Sequence, residues 1–335
     1  MSARTSATSA RSAELAGPVA EVRRRVIAAV ARAPADCLLL SGGLDTSVLA
    51  PLAAGHGTHA AVTVLASPDA PDRDPARGIA TGLDWVHHVV DTSLDQLLDD
   101  LDFVVGTLVT FDPMEVRNSL VIARALREAQ AHGYRTAMTG DAADELFGGY
   151  SFMMRMPTPE FERYSREMAK TMRFSSQPMG RALGVEVRSP YCDPEVIACA
   201  VELPKSAKVG EREGILVGKL VLREAFPEAV SRWRRKDPIE VGSGSTHLPE
   251  WFSRRTPPAE LKAEQERILQ EDRVEIRDAE HLAYYRVFRR LLGERLGGRT
   301  FDDQSCGHCG FALPTTTSTF CCTCGAYPAR SAGPT

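Results

Sequence analysis

The chain has 335 residues, of which 43% are hydrophobic and 25% are charged, proportions that are ordinary for a soluble globular protein. Its formal net charge of −4 excludes a global electrostatic attraction to nucleic acid. No apolar run reaches the ~18–20 residues that a membrane span requires, and residues 1–12 lack the apolar core of a secretory signal.

Alternating strand and helix patterns extend from the N-terminal part of the chain to Thr139. After a lead-in over 1–14 that we predict to be disordered, apolar spacing predicts a helix over 15–33. The candidate strands that follow are 36–40, 59–65, 85–90 and 135–139, and the candidate helices are 46–54, 75–82, 93–102 and 115–131. This alternation predicts a parallel sheet with helices on both faces, which binds its ligand at the carboxyl ends of the strands. Beyond Tyr150 the pattern is mostly helical, and we expect that part to pack over the ligand site and form an acceptor pocket.

A loop rich in glycine and hydroxyl groups follows the first candidate strand. Its members are Ser41, Gly42, Gly43, Leu44, Asp45, Thr46 and Ser47. Glycines let the backbone approach an anion closely, and the N–H groups at a helix N-terminus present positive partial charge to it. Asp45 would repel a phosphate unless a cation lay between them, so the loop predicts a phosphate site with Mg²⁺. It is not a Walker loop, because no lysine follows the glycines; an ordinary strand-to-helix turn is the alternative.

A second loop, residues 139–150, follows the strand predicted over 135–139. It reads Thr-Gly-Asp-Ala-Ala-Asp-Glu-Leu-Phe-Gly-Gly-Tyr and places Asp141, Asp144 and Glu145 close together in the chain. So much negative charge beside glycines is unfavourable in a simple turn. Because parallel strands end at the same edge of a sheet, we expect this loop to lie near the first one.

The first loop is similar to the pyrophosphate loop of enzymes that cleave ATP between the α- and β-phosphates. The two loops together resemble those of the synthetase domain of asparagine synthetases. Segments 186–193, 219–223 and 235–236 are similar to that family in order and approximate spacing, and the resemblance covers roughly residues 15–250. It implies an α/β fold of the adenine nucleotide α-hydrolase-like kind, a parallel sheet flanked by helices, with a helical C-terminal part.

The resemblance also implies an ATP-dependent carbon–nitrogen ligase. A substrate carboxylate would attack the α-phosphate and displace pyrophosphate; ammonia or an amine would then attack the acyl-adenylate and release AMP. The first loop and Gly140 would hold ATP and pyrophosphate, and Asp45 and Asp144 would share Mg²⁺. Lys236 would stabilise charge on the α-phosphate or on the acyl oxyanion; a surface lysine is the alternative.

Position 141 departs from the family pattern. It is typically glutamate in glutamine-using synthetases and tyrosine in relatives that close β-lactam rings. Asp141 keeps a carboxylate that could orient the amine or accept its proton, or it is a local cap or turn residue. Arg117 and Arg188 match family positions that could hold an acidic acceptor by bidentate contacts. Glu186 and Arg188 could equally belong to a buried structural network.

The source of nitrogen is the second departure from the family pattern. Glutamine-using members carry an N-terminal glutaminase domain whose nucleophilic cysteine follows the initiator methionine. Here Ser2 holds that position and the first loop already starts at Ser41. We therefore expect no glutaminase activity. Free ammonia, an amine on a substrate, or a separate ammonia-supplying subunit or carrier protein would deliver the nitrogen.

The cysteines are concentrated near the C-terminus, where five of the eight lie between positions 306 and 324. Cys306, Cys309, Cys321 and Cys324 form two Cys-x-x-Cys-Gly motifs that are separated by the segment 311–320. This spacing is typical of a closed, structural Cys₄ zinc ribbon; a redox pair and an iron–sulfur cluster are alternatives. Cys322 is left over. The uneven distribution is unlike a secreted disulfide framework and predicts a cytoplasmic protein.

We therefore predict four segments. They are a disordered 1–14, a synthetase-like 15–250, a helical extension over 251–299 and a zinc-ribbon-like tail over 300–335. The favoured function is a ligase of primary or natural-product metabolism that acts on a small-molecule carboxylate. An intramolecular cyclase that closes a β-lactam or a lasso-type amide is the alternative within the family. A zinc-ribbon RNA-binding or tRNA-modifying ATP pyrophosphatase is the alternative from another class, and the acidic charge balance disfavours it.

Overall fold

Five parallel strands form a sheet in the computed structural model, which describes residues 2–315 and 318–330 and the side chains from residue 15 onward. The strands of the described chain are β1 (Cys37–Leu39), β2 (Ala60–Leu65), β3 (Val86–Asp91), β4 (Thr136–Met138), β5 (Glu186–Arg188), β6 (Gly210–Arg212) and β7 (Ile215–Val217). The sheet order is β3-β2-β1-β4-β5, and β6 pairs with β7 as a separate antiparallel hairpin. The predicted parallel α/β sheet is confirmed.

Helices cover both faces of the sheet. Those described are α1 (Ser2–Arg32), α2 (Leu44–Ala54), α3 (Arg73–Gly82), α4 (Leu94–Leu98), α5 (Leu101–Leu108), α6 (Pro113–Ala131), α7 (Ala143–Phe147), α8 (Ser151–Arg155), α9 (Thr158–Thr171), α10 (Ser176–Leu183), α11 (Pro194–Glu202), α12 (Lys205–Lys208), α13 (Leu220–Ala225), α14 (Ile239–Ser243), α15 (Leu248–Arg255), α16 (Pro258–Asp272) and α17 (Ala279–Leu292). None of these helices has the length and apolar character needed to cross a membrane.

The strand sequences explain why the sheet has two apolar faces. Side chains alternate along a strand, so Cys37 packs in the cluster with α5, α6 and α17, and Leu38 packs in the cluster with α1 and α2. All six residues of β2 are buried, as expected for an inner strand of a parallel sheet. β3 lies at the edge, and its residues are exposed or half-buried.

Chain direction through the sheet positions the ligand site. From β1 the chain moves outward to β2 and β3, and it then returns to the other side of β1 for β4 and β5. The order of strands therefore reverses between β1 and β4. Open α/β sheets bind their ligands at such a reversal, beyond the carboxyl ends of the strands. The loops after β1 and β4 are the two loops that the sequence singles out.

Three local features differ from the sequence-based expectations. The helix predicted over 93–102 is two helices, α4 and α5, because the buried carboxylate of Asp100 sits between them and pairs with Arg124 and Arg127 of α6. Helix α1 begins at Ser2, where we predicted a disordered lead-in; the run from residue 2 to 13 is rich in alanine and free of proline and glycine. Strand β5 and the β6–β7 hairpin were not predicted.

The C-terminal helices share one core with the sheet. Tyr284, Tyr285 and Phe288 of α17 are fully buried in the same cluster as Phe111, just before α6. Phe111 stacks on His281 with ring centroids 5.3 Å apart and meets Phe288 at 4.9 Å. The helical segment after residue 250 is therefore packed against the synthetase-like part by large aromatic side chains.

Candidate active site at the switch point of the sheet

The helix that follows the loop after β1 has an N-terminus without a side-chain cap, so its first N–H groups can bind an anion. Gly43 is the N-cap of α2 and no side chain caps the helix. Gly42 has φ +69°, and a Cβ atom there would lie 2.5 Å from the backbone nitrogen of Ala76, so only glycine fits. The Ser41 hydroxyl accepts a hydrogen bond from Gly43 N at 3.2 Å and lies 3.3 Å from Thr46 Oγ1. An uncapped helix N-terminus ringed by hydroxyl groups is suited to phosphate.

The loop after β4 packs directly against the first loop. A Cβ atom on Gly140 would lie 3.1 Å from Cβ of Asp45, so the glycine allows this close approach. Ala142 has φ +78°, an unfavourable conformation for a residue with a side chain. The turn leads at once into α7, which carries Asp144 in its first turn. The expected proximity of the two loops is confirmed.

Two lysines join the carboxylates of the two loops. Lys219 Nζ donates hydrogen bonds to both oxygens of Asp45, at 2.7 and 2.6 Å, and forms an ion pair with Asp144 Oδ1 at 2.8 Å. Lys236 Nζ donates to Asp144 Oδ2 at 2.7 Å. We call these four residues the charge cluster. Three of the four were selected from the sequence as site residues, whereas Lys219 was not.

The charge cluster is largely buried and balanced. Lys219 is 3% exposed. Burial alone would raise the pKa of Asp144, but the ammonium groups of Lys219 and Lys236 lower it to about 2. Burial alone would lower the pKa of Lys236, but Asp144 and Asp45 raise it above its ordinary value. Asp144 and Lys236 are therefore charged at neutral pH, and the two lysines balance the two carboxylates.

The segment before Lys236 holds the first loop in place. The Ser231 hydroxyl donates to the carbonyl oxygen of Gly42 at 2.5 Å. The Arg234 guanidinium donates to the carbonyl oxygen of Ser41 at 3.3 Å and to Asp72 at 2.8 Å. Neither side chain was predicted from the sequence, because their partners lie 162 to 193 positions away along the chain.

Asp141 is turned toward a group of hydroxyls. Its Oδ2 atom accepts hydrogen bonds from Thr139 Oγ1 at 2.7 Å and from Ser176 Oγ at 2.6 Å, and Ser189 Oγ lies 3.5 Å away. Burial raises the pKa of this carboxyl group, and the hydroxyls oppose that rise. Among the described contacts, Asp141 has none with the charge cluster.

The three tentative acceptor residues are paired within the chain. Arg117 donates to both oxygens of Glu280, at 3.0 and 2.6 Å, and Glu280 is 2% exposed. Arg188 donates to the carbonyl oxygen of Pro34 at 2.9 Å and to Glu186 at 3.1 Å. These arginines therefore serve as structural ion-pair and hydrogen-bond partners in this structure, and no described contact joins them to the charge cluster.

The cysteine pairs of the tail converge as a tetrahedral metal site requires. The four sulfurs lie within 4.8 Å of one another, with Cys306 to Cys324 at 3.8 Å and Cys309 to Cys321 at 3.7 Å. Tetrahedral ligands at the Zn–S distance of ~2.3 Å are ~3.8 Å apart, whereas disulfide sulfurs are ~2.05 Å apart. All four side chains are buried, and Cys322 is exposed outside the cluster. The residues present therefore fit a Zn²⁺ ion.

The two halves of this cysteine site have the same backbone turn. Gly310 N donates to Cys306 O, and Gly325 N donates to Cys321 O, both at 2.8 Å. Both glycines have φ +72°, which explains the glycine after each Cys-x-x-Cys pair. The same turn on both sides directs two sulfurs from each half toward one point.

Comparison with known proteins identifies a matching family model and several relatives. The asparagine synthase family model matches residues 21–178 and 160–305, which together exceed half of the chain. Asparagine synthetase (glutamine-hydrolyzing) 1 of Saccharomyces cerevisiae is 28% identical over 274 residues, covering 67% of this chain and 47% of the relative. Asparagine synthetase (glutamine-hydrolyzing) 1 of Arabidopsis thaliana is 29% identical over 206 residues, covering 57% and 35%. The chain thus spans less than half the length of these curated relatives.

Proposed function

The chain belongs to the asparagine synthase family, and we propose that it is an ATP-dependent carbon–nitrogen ligase that activates a carboxylate and joins it to ammonia or an amine. The observation that carries this proposal is the contact of Lys219 with both Asp45 and Asp144. It joins two acidic loops at the reversal of strand order, where α/β sheets bind their ligands.

We propose that the first loop holds the pyrophosphate part of ATP, so that AMP and pyrophosphate are the nucleotide products. The uncapped N-terminus of α2 supports this assignment, because its N–H groups lack a side-chain partner. Ser41 and Thr46 bring hydroxyl donors to the same place, with their oxygens 3.3 Å apart. A contact of that length is easily exchanged for a shorter one to a phosphate oxygen.

Asp45 and Asp144 are the residues that would hold Mg²⁺. They fit the ion because their carboxylates come from facing loops and already share one cation, the Lys219 ammonium. Mg²⁺ bound with ATP would neutralise charge on the departing pyrophosphate. Lys219 is held by both carboxylates and Lys236 by Asp144, and the two lysines would supply positive charge beside the phosphates.

Asp141 acts as a positioning residue in this proposal. Its hydrogen bonds to Thr139 and Ser176 fix the end of β4 against α10. The loop that starts there carries Asp144, so Asp141 would align the second loop for the attack of the amine. A direct proton transfer would require the carboxylate to leave its hydroxyl partners.

We propose that the acceptor pocket favours a carboxylic acid whose remaining part is apolar. Arg117 and Arg188 are occupied by partners within the chain. The aromatic rings of Tyr150, Phe152 and Tyr164 form a chain with centroids 5.7 Å apart at each step, and Phe152 is 48% exposed. Tyr150 ends the loop that carries Asp144, so we propose that this row of rings borders the acceptor pocket and packs against an apolar substrate.

The tail is proposed to be a structural zinc module that staples the C-terminus to the synthetase-like part. Phe111 N donates to Thr323 O and Thr110 Oγ1 donates to Cys322 O, both at 2.8 Å. These bonds join the second half of the cysteine site to the loop before α6. These contacts within the chain support a role in attaching the C-terminus to the rest of the protein, in preference to a role in binding RNA.

Pyrophosphate exchange with a panel of carboxylic acids tests the ligase directly. Incorporation of labelled pyrophosphate into ATP that depends on one acid and on Mg²⁺ is the expected result. Asp45→Asn should abolish the exchange, and Asp69→Asn, which changes an exposed carboxylate outside both loops, should leave it intact. Formation of ADP and phosphate would contradict the mechanism.

Analysis of the amide product then identifies the nucleophile. Ammonia and a set of amines are supplied with the acid that supports exchange. An intermolecular amide supports the ligase, whereas a cyclised acid formed without added amine would identify the intramolecular alternative.

A further inference from the structure

A second group of metal-binding side chains lies at the edge of the sheet, outside the charge cluster and the cysteine site. It consists of His88 on β3, Glu128 on α6, and His132 at the C-terminal end of α6. One ligand atom from each residue lies within 4.8 Å of the others. We call these three residues the edge cluster.

The fold explains why these side chains meet. Glu128 and His132 are four residues apart, so they are neighbours on one face of the helix end, and His132 Nε2 lies 3.0 Å from Glu128 Oε1. The His88 ring stacks on that of His132 with centroids 3.6 Å apart. His88 Nε2 is also hydrogen-bonded to the Tyr134 hydroxyl at 3.0 Å.

The donor set is chemically selective. Two imidazoles and one carboxylate suit Zn²⁺, Ni²⁺ and Co²⁺, whereas Mg²⁺ prefers oxygen ligands alone. His88 and Glu128 are half-buried and His132 is exposed, so water can reach the group and complete a coordination shell.

We propose that the edge cluster is a transition-metal site in which His88, Glu128 and His132 are the protein ligands and water fills the remaining positions. Ligands in a tetrahedral shell at ~2.0–2.1 Å from the metal are ~3.4 Å apart. The present separations require side-chain rotation that moves ligand atoms by roughly 1 Å and unstacks the two rings. The open shell makes this site exchangeable, in contrast to the closed cysteine site.

Nickel titration tests the site in the full chain with its cysteine site filled by zinc. Calorimetry should detect one saturable Ni²⁺ equivalent, and metal analysis should show that the zinc content is unchanged. His132→Ala and Glu128→Gln should each weaken Ni²⁺ binding at least ~10-fold, since loss even of an outer-shell partner has that effect. Glu128→Gln keeps the size of the side chain and so guards against a change of fold.

Two controls make the result decisive. His56→Ala removes an exposed histidine outside the edge cluster and should leave Ni²⁺ binding unchanged. Cobalt bound in the edge cluster should show no thiolate charge-transfer band, unlike cobalt in the cysteine site. Absence of saturable Ni²⁺ binding, or unchanged binding in a folded His88→Ala/His132→Ala double variant, would overturn the proposal.

Discussion

The Lys219 ammonium lies between both carboxylate oxygens of Asp45, at 2.6 and 2.7 Å, although the two residues are 174 positions apart. The same ammonium lies 2.8 Å from Asp144. One lysine thus separates two carboxylates that would otherwise repel each other in a buried place. Loss of this cation would leave Asp45 and Asp144 facing each other with only Lys236 to balance their charge.

Replacing Lys219 by methionine should therefore destabilise the protein by about 3–5 kcal/mol and abolish pyrophosphate exchange. Because Mg²⁺ can restore a positive charge between the carboxylates, it should raise the melting temperature of Lys219→Met more than that of the parent. Thermal unfolding with and without Mg²⁺ measures this. Lys170→Met removes a lysine that is exposed, and serves as the matched control. An equal response of variant and parent to Mg²⁺ would argue against a shared cation position.

Asp112 should give the stability a distinct pH dependence. Burial raises the pKa of this carboxyl group to about 6, although backbone N–H groups at the start of α6 oppose the rise. Because the pKa of Asp112 is higher in the folded state, the protonated carboxyl group contributes its full stabilisation below the unfolded pKa of ~3.9. This contribution to the free energy of unfolding is lost as the pH rises through about 6. The shift corresponds to roughly 3 kcal/mol.

Asp112→Asn should keep the helix cap and remove this contribution. Urea unfolding of parent and variant at pH 4 and pH 8 is the measurement. We expect the variant to gain stability relative to the parent at pH 8 and to gain less or none at pH 4. A difference between the two proteins that is the same at both pH values would contradict the assignment.

Asp141→Asn should separate the two half-reactions. Asparagine keeps the size of the side chain but removes the charge that strengthens the hydrogen bonds from Thr139 and Ser176. The first loop should therefore stay in place, while the second loop loses the alignment proposed for the attack of the amine. We expect pyrophosphate exchange to continue and amide formation to be lost. If both activities fall in parallel, Asp141 instead supports nucleotide binding or the fold.

Arg117 and Glu280 should behave as a coupled buried pair. Each single change, Arg117→Met or Glu280→Gln, leaves one buried charge without its partner and should cost about 3–5 kcal/mol. The double variant Arg117→Met/Glu280→Met should be more stable than either. If Arg117→Met is as stable as the parent and differs only by a raised KM for the acid, the arginine would instead be a substrate ligand.

One zinc ion per chain should be held by the cysteine site. Cys321→Ser should lose the metal and Cys322→Ser should keep it, since Cys322 is exposed outside the cluster. Metal analysis of both purified variants is the measurement. A full zinc content in Cys321→Ser together with loss in Cys322→Ser would show that the ligand was chosen wrongly. Absence of metal from the parent as well would remove the site.

Local patterns were sufficient to locate four of the five strands of the sheet and both loops. Strands β1 to β4 each lie within one residue of their predicted bounds, because an apolar run bounded by turn residues is a local signal. The grouping of Cys306, Cys309, Cys321 and Cys324 was also predictable from spacing alone, and their sulfurs do converge.

The same reasoning could not predict which charged residues form pairs across long separations in the sequence. Lys219 is one of several lysines after residue 200, and only the fold brings it between Asp45 and Asp144. Arg117 was selected as a residue that could hold an acidic acceptor, and in the structure it pairs with Glu280, which lies 163 positions away on α17. The sequence identifies which groups can be charged, whereas tertiary packing determines which charged groups form ion pairs with each other.

The docking of the tail on main-chain atoms has a consequence for its evolution. Arg277 and Arg299 donate to the carbonyl oxygens of Cys324 and Cys309, at 2.8 and 2.7 Å, and Phe111 N donates to that of Thr323. A carbonyl oxygen is present whatever the side chain. Apart from Gly310 and Gly325, the non-cysteine positions beside the two cysteine pairs can therefore vary while the tail stays attached. Related chains should share the cysteines, these glycines and the two arginines but little else in this region.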